Sequence, residues 1–407
     1  MERVFHYIDS KKDDIVGFTK ELISIPTANP PGENYEKIVA VLEKHLKALG
    51  LSTRRYLTPP SVLKKYKIEK GSQRITLIAR WDVGAKKTLH LNGHYDVVPV
   101  TANWKTDPFR PIIKKGKLYG RGAEDMKGEI ACMIFAVEAL KSQGIKPKVN
   151  IEFSFVPDEE TGGMTGLGYL MSKGILKPDY ALGEGYWEEY VSIGNKGVLW
   201  LEIEIKGRSS HGATPYKGIN AFEKMLEVAG EIKKLEKIIS KRKTKYATLD
   251  KRDRYATLVL GGEMKGGIKV NVVPDKASFT IDRRALPEED IDKAEEEIRS
   301  AVEKLKKKDK ALKVKIKIIT KDVPVITKGK IVLDSIGSAI RKVLKKRPKF
   351  AIQPGGTDLR FFIKRGIPAV GYGPSGGGKY HGDDEHVFIG SLPKTAKVFA
   401  QFIMNLR

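Results

Sequence analysis

The stretch VNIEFSFVPDEE, residues 149–160, decides how this chain reads. Its IEFSFV portion is near-continuously apolar, the pattern of a strand covered on both faces, which central parallel strands favour. It breaks at Pro157 and ends on three acids, Asp158, Glu159 and Glu160. Upstream lie two similar short runs, RITLIARW (74–81) and KTLHLNGH (87–94). Segments of helical character alternate with them, MKGEIACMIFAVEALKSQG (126–144) and MTGLGYLMSKG (164–174). Strand and helix in alternation predict an α/β sheet covered on both sides. Toward the N-terminus, DDIVGFTKELISI (13–25) and ENYEKIVAVLEKHLKALG (33–50) read as helices, the second closing at Gly50. The PTANPPGE between them reads as a loop.

Beyond Val198 the character changes. LWLEIEIKG (199–207), YATLVLGG (255–262) and IKVNVVPDKASFTIDRR (268–284) read as strands. Around them lie two helical stretches, NAFEKMLEVAGEIKKLEKII (220–239) and PEEDIDKAEEEIRSAVEKLKKK (287–308). This predicts a βαββαβ insert with helices on one face. The α/β pattern resumes with VLDSIGSAIRKVL (332–344) and IPAVGYGPS (367–375). The expected architecture is therefore a three-layer α/β/α domain with a mostly parallel central sheet, residues 1–197 and 319–407. A smaller α+β domain, 198–318, interrupts it.

Composition narrows the function. At 407 residues, with 41% hydrophobic and 31% charged, the chain buries a sizeable core and is not disordered. No run of about 18 uncharged apolar residues offers a membrane span. The opening MERVFHYIDSKKDD lacks the apolar core of a secretory leader. The single cysteine, Cys132, excludes an internal disulfide framework and suits a reducing cytoplasm. The formal charge of +25 raises nucleic-acid binding. Its lysines are spread among glutamates, and no zinc finger or basic-aromatic stripe accompanies them, so a solvated Lys-rich surface is the better reading.

The acids and imidazoles cluster at strand ends and loops. His94 and Asp96, two apart on an extended segment, point the same way, and a carboxylate beside a metal-binding imidazole fixes its tautomer. Asp125 lies in the glycine-rich GRGAEDMKG before a helix; Glu159 and Glu160 in PDEETGG; Glu184 in ALGEG; His381 and Glu385 in YHGDDEH. Each alone has a plainer explanation: a solvated acidic loop, or a helix cap for Asp125. Together they have the donor types of a two-ion centre, in which one carboxylate bridges and another takes a proton from water. Imidazole and carboxylate ligation suits Zn²⁺ first, with Co²⁺ or Mn²⁺ also possible.

The set HYDVVP, GRGAEDMKG, PDEETGG, SSHGATP, KVNVVPDKA, GGTD and HGDDEHV resembles the di-zinc amidohydrolase and exopeptidase family. That family includes acetylornithine deacetylase, succinyl-diaminopimelate desuccinylase, aminoacylase and glutamate carboxypeptidase. The resemblance implies that His94, Asp125, Glu160, Glu184 and His381 hold two divalent ions, with Asp125 bridging. It implies that Asp96 orients His94, and that Glu159 activates a water held between the ions. His211 matches a histidine given across a dimer interface to the oxyanion. Asn271, Arg284, Gly356 and Thr357 match positions that contact substrate; Arg283 is the adjacent alternative to Arg284. The implied activity is amide hydrolysis of N-acylated amino acids, with a carboxypeptidase or dipeptidase as the alternative. The implied assembly is a homodimer through the insert, serving as lid and dimerisation domain. One departure stands out: many family members read Glu-Pro where this chain has Glu184-Gly185, followed by Tyr186-Trp187-Glu188-Glu189. That stretch either lines the cleft or packs.

Overall fold

A computed structural model of the chain describes residues 1–68 and 73–407. It divides into two compact units: 1–193 with 327–350 and 357–407, and 194–326 with 351–356.

The first unit is built on a sheet whose order runs Ser52–Leu57, Ile75–Trp81, Asn150–Val156, Thr88–His94, Tyr180–Gly183, Ala369–Gly371 and then Tyr190–Asn195. The four strands from Asn150–Val156 to Ala369–Gly371 are mutually parallel. Antiparallel strands flank them: Ile75–Trp81 beside Asn150–Val156, and Tyr190–Asn195 beside Ala369–Gly371. The apolar IEFSFV run is thus central but has one parallel and one antiparallel neighbour.

Register assigns the faces. Leu91 pairs with Phe153 and Gly93 with Phe155, while His90, Asn92 and His94 pair with Glu152, Ser154 and Val156. The first face receives the helix Gly128–Ser142, which comes so close that a Cβ on Gly93 would meet Ile130 at 2.8 Å. That helix is buried from Gly128 to Leu140, because the helices Lys12–Ile23 and Ser391–Asn405 pack against it in turn. The second face carries a cluster formed by Ile78, Val156, Leu167, Leu170, Leu359 and Phe362, contributed partly by the short helices Leu167–Ser172 and Leu359–Ile363. A separate three-stranded sheet joins His386–Phe388, Lys117–Tyr119 and Ile112–Lys114.

The second unit carries a four-stranded antiparallel sheet, ordered Thr257–Gly266, Lys276–Ala285, Gly197–Lys206, Lys313–Asp322. Leu199, Leu201, Ile203 and Ile205 alternate inward along one strand and meet Val228, Ile232, Ile298 and Val302 of the helices Ala221–Ile239 and Ile291–Lys308. Asn220 and Asp290 cap those helices, each side chain accepting from two backbone N–H groups.

One expectation needs correction. IKVNVVPD forms no continuous strand: Val272 makes only an isolated bridge to His211 and the ladder begins at Lys276, and Ile268, Asn271 and especially Val270 are exposed. The charged opening forms a helix, Glu2–Ser10, anchored by buried Val4 and Ile8.

Candidate metal centre

Three of the motifs sit where a strand of the first unit ends. His94 closes the strand Thr88–His94; Glu159 and Glu160 follow Asn150–Val156 through a single helical turn; Glu184 follows Tyr180–Gly183. Carboxyl ends of parallel strands are where open α/β sheets place their sites. Asp125 arrives from an irregular turn, Ala123–Lys127, whose Asp125–Met126 peptide is cis. His381 arrives from the glycine-rich loop with a left-handed backbone, φ 64°, a region His visits more readily than most residues.

These side chains converge. His94 Nε2 lies 2.9 Å from Asp125 Oδ1, and His381 Nε2 lies 3.3 Å from Asp125 Oδ2 and 2.9 Å from Glu160 Oε2. The two oxygens of Asp125 therefore face two different imidazoles. Two sets of ligand atoms lie within 4.8 Å of one another: His94 with Glu159 and Glu184, and His94 with Asp125 and Glu160.

The donor set fits divalent cations. His94 Nδ1 donates to the Asp96 carbonyl at 3.0 Å, which directs Nε2 at the cluster. Glu184 Oε2 is buried without a hydrogen-bond partner, a costly arrangement for a carboxylate unless a cation or proton meets it. Burial, reinforced by Asp358 and Glu160, pushes Glu159 well above the usual carboxylate range, against His94 and Arg360. Burial and the Asp125 charge push Glu160 up to about 7. Burial and neighbouring carboxylates likewise raise Glu184 well above its usual range. These carboxyls are crowded for positive charge. For His94, burial opposes protonation, but Asp125 and Asp96 outweigh it and hold the imidazolium well above the ordinary range. Hydrogen bonds that His381 donates to the carboxylates of Asp125 and Glu160 raise it to about 10.

A prediction follows from the sign of these shifts. In the ion-free protein these shifts favour the protonated form of both imidazoles, whereas metal ligation needs them neutral. Zn²⁺ uptake at pH 7 should therefore release about two protons per chain or more. Titration calorimetry in buffers of different ionisation enthalpy measures that number, and uptake without proton release would contradict the assignment.

Several supporting contacts were invisible in the sequence. The Asp96 carboxylate accepts from the backbone N–H of Glu159 at 3.2 Å and of Glu160 at 3.3 Å. It thus clamps the acidic turn as well as flanking His94, whose Nδ1 is 3.5 Å from Asp96 Oδ1. Asn29 donates to the same carboxylate at 2.8 Å and accepts from buried Arg74 at 2.8 Å. Glu385 accepts from the N–H groups of Glu124 and Asp125 at 3.0 and 3.2 Å and pairs with buried Arg121 at 2.7 Å, so it holds the turn that presents Asp125. Arg360 donates to the Gly162 carbonyl at 2.6 Å and lies 3.9 Å from Glu159 Oε1. His386 bonds the Asp384 carbonyl and packs on Tyr119 instead of joining the cluster. His90 is a packing residue between Glu152 and Ser154.

The Glu184-Gly185 departure has a local cause. A Cβ on residue 185 would lie 2.2 Å from the Tyr372 nitrogen, and the Gly185 N–H, which a proline lacks, donates to buried Glu129 at 3.2 Å. Gly185→Ala should destabilise the protein by about 1–3 kcal/mol or more, because the clash is with backbone. A melting temperature equal to wild type would contradict this packing.

The remaining substrate-contact expectations separate. Thr357 is buried in the first unit; Gly356 belongs to the second. Also in the second unit, His211 bridges to Val272, beside Asn271, whose carbonyl accepts from Gly212 at 2.9 Å. His211 is exposed, and its Nδ1 accepts from the Ala213 N–H at 3.0 Å, leaving Nε2 as the free donor. Arg284 forks onto Asp282 at 2.8 and 2.9 Å and lies over Trp200. Arg283 is fully buried and paired with Glu289.

Set beside known proteins, residues 90–405 match the model of peptidase family M20/M25/M40. The chain belongs to that family. An uncharacterized metallohydrolase of Methanocaldococcus jannaschii is 30% identical, across 96% of this chain and 99% of its own. Aminoacylase-1A of Rattus norvegicus is 30% identical over 64% of this chain and 63% of its own. Among solved structures, an M20 family metallo-carboxypeptidase from Sulfolobus solfataricus superimposes with a TM-score of 0.76 at 20% identity, covering 96% of this chain and 98% of that one. As an M20-family protein the chain is a hydrolase of the amidohydrolase and exopeptidase kind, and the convergent cluster could hold a metal ion. Among the described residues, no helix is long and apolar enough to cross a membrane.

Proposed function

We propose that this M20-family enzyme hydrolyses the amide bond of N-acylated amino acids. The observation that carries the reading is the Asp125 carboxylate, with one oxygen at His94 and the other at His381. His94, Glu184 and Asp125 would hold one ion, and Asp125, Glu160 and His381 the other, with Zn²⁺ the first candidate. When bound, such ions polarise a carbonyl and lower the pKa of water.

The chain's own groups supply the rest. Glu159, beside the cluster yet raised in pKa by burial, takes a proton from the attacking water on a carboxylate oxygen and returns it to the leaving nitrogen. Asp96 keeps His94 and the acidic turn in register through the contacts described above. The free Nε2 donor of His211 suits an oxyanion. We assign that role across a homodimer formed through the second unit. Exposed Phe222 and Leu226 on one helix, and Val259 and Met264 on the edge strand, support the interface. Mixing Glu159→Gln with His211→Ala protein should then restore activity at heterodimer sites, and no recovery would remove the trans role.

The aminoacylase relative favours a deacylase over an exopeptidase. Assay of acetyl, succinyl and formyl amino acids beside dipeptides and tripeptides decides it. Higher kcat/KM on acyl amino acids supports the proposal; higher kcat/KM on peptides replaces it with the carboxypeptidase or dipeptidase reading.

A further inference from the structure

We propose that Tyr186 is a positioning residue for Glu184, and that its stack on Tyr380 ties together the two ends of the metal centre. The inference rests on reading the cluster as a two-ion site.

Glu184 lies between two glycines, Gly183 and Gly185, so no flanking side chain packs against its carboxylate. Its two oxygens have different surroundings. Oε1 accepts from the Tyr186 phenol, whereas Oε2 is buried and unpartnered, and the Glu184 carboxylate is grouped with His94 and Glu159. A donor on one oxygen leaves the other as the ligand atom, which is how outer contacts orient a metal-binding carboxylate.

Tyr186 is itself held. Its ring stacks on Tyr380 at 4.5 Å between centroids and 24° between planes. Tyr380 directly precedes His381. One aromatic contact thus joins the segment bearing Glu184 to the segment bearing His381. The two segments are pinned again through Glu188. Its N–H donates to Ser375 Oγ at 2.9 Å, and its carbonyl accepts from the Tyr372 hydroxyl at 3.0 Å. Trp187 closes over Gly378, where an added Cβ would lie 3.1 Å from the indole. The Tyr186-Trp187 departure seen in the sequence therefore supplies the outer contact of one proposed ligand.

The test is Zn²⁺ affinity of the stripped full-length protein, measured by competition with a chromophoric chelator. Tyr186→Phe keeps the ring and loses the hydrogen bond. It should weaken one of the two Zn²⁺ constants by about tenfold and leave the other within about twofold. Tyr380→Ala should reproduce that loss, Tyr380→Phe should not, and the Tyr186→Phe/Tyr380→Ala double variant should be no weaker than Tyr186→Phe alone. Unchanged constants in Tyr186→Phe, or fully additive losses, would overturn the proposal while leaving the two-ion reading in place. Wild-type protein that binds no Zn²⁺ would overturn both. Should Tyr186→Phe not fold, Tyr380→Ala against Tyr380→Phe decides.

Discussion

In the Glu159→Gln variant, turnover falls by about two to four orders of magnitude while the protein still takes up two ions. The substitution keeps the shape and hydrogen-bonding length of the side chain and removes its ability to accept a proton. Glu159 lies in the same group of ligand atoms as His94 and Glu184, so its carboxylate is close enough either to ligate or to act on water. The two roles give opposite results. A base leaves the metal content intact and abolishes the chemical step; a ligand loses an ion. The backbone N–H of Glu159 is held by Asp96 and the turn by Arg360, so the exchange leaves the neighbouring carboxylates in place. Elemental analysis beside steady-state kinetics separates the outcomes, and turnover within about tenfold of wild type would remove Glu159 from the mechanism.

The second large effect is at Asp125. Asp125→Asn replaces two equivalent oxygens by one acceptor and one N–H₂ donor. The donor must then face either His94 Nε2, 2.9 Å away in wild type, or His381 Nε2 at 3.3 Å. One ion position loses a ligand and gains a positive dipole. The expected result is at most one ion retained per chain and activity at least a thousandfold lower, comparable to about 4 kcal/mol of transition-state stabilisation. The backbone of residue 125 stays fixed through Glu385, whose carboxylate accepts its N–H at 3.2 Å. The ion-free variant should therefore fold, as circular dichroism would show. Retention of two ions would mean that Asp125 does not bridge.

What the sequence revealed was local. IEFSFV and TLHLNGH are short, apolar and followed by acids or an imidazole, so strand ends and candidate ligands could be read directly from residue order. Period-two burial on Leu199, Leu201, Ile203 and Ile205 made the second unit equally readable. Pairing was less visible, because apolar content marks a central strand without saying which neighbour runs antiparallel, as Ile75–Trp81 does. IKVNVVPD misled for a related reason: alternating valines satisfy the strand pattern, yet Val270 and Ile268 are exposed and the continuous ladder starts only after Pro274.

The supporting shell was illegible for a different reason. Asn29 meets Asp96 across 67 positions, and Arg121 meets Glu385 across 264. Asn29 lies in a Pro-Pro-Gly turn that reads as loop, and Arg121 in a glycine-rich motif that draws attention to Asp125. Ordinary residue types at such separations carry no periodic signal. Only the folded chain shows that Asp96 clamps the acidic turn, and that Glu385, noticed merely as one more acid near His381, presents Asp125.

The measurement that bears most directly on the whole account is metal content. Protein stripped with chelator, re-equilibrated with Zn²⁺ and freed of excess should hold two equivalents per 45.4 kDa chain by elemental analysis, with both lost on acidification as His94 and His381 regain their protons. Protein that holds no tightly bound ion under those conditions would contradict the centre, and with it the hydrolytic mechanism assigned to Glu159.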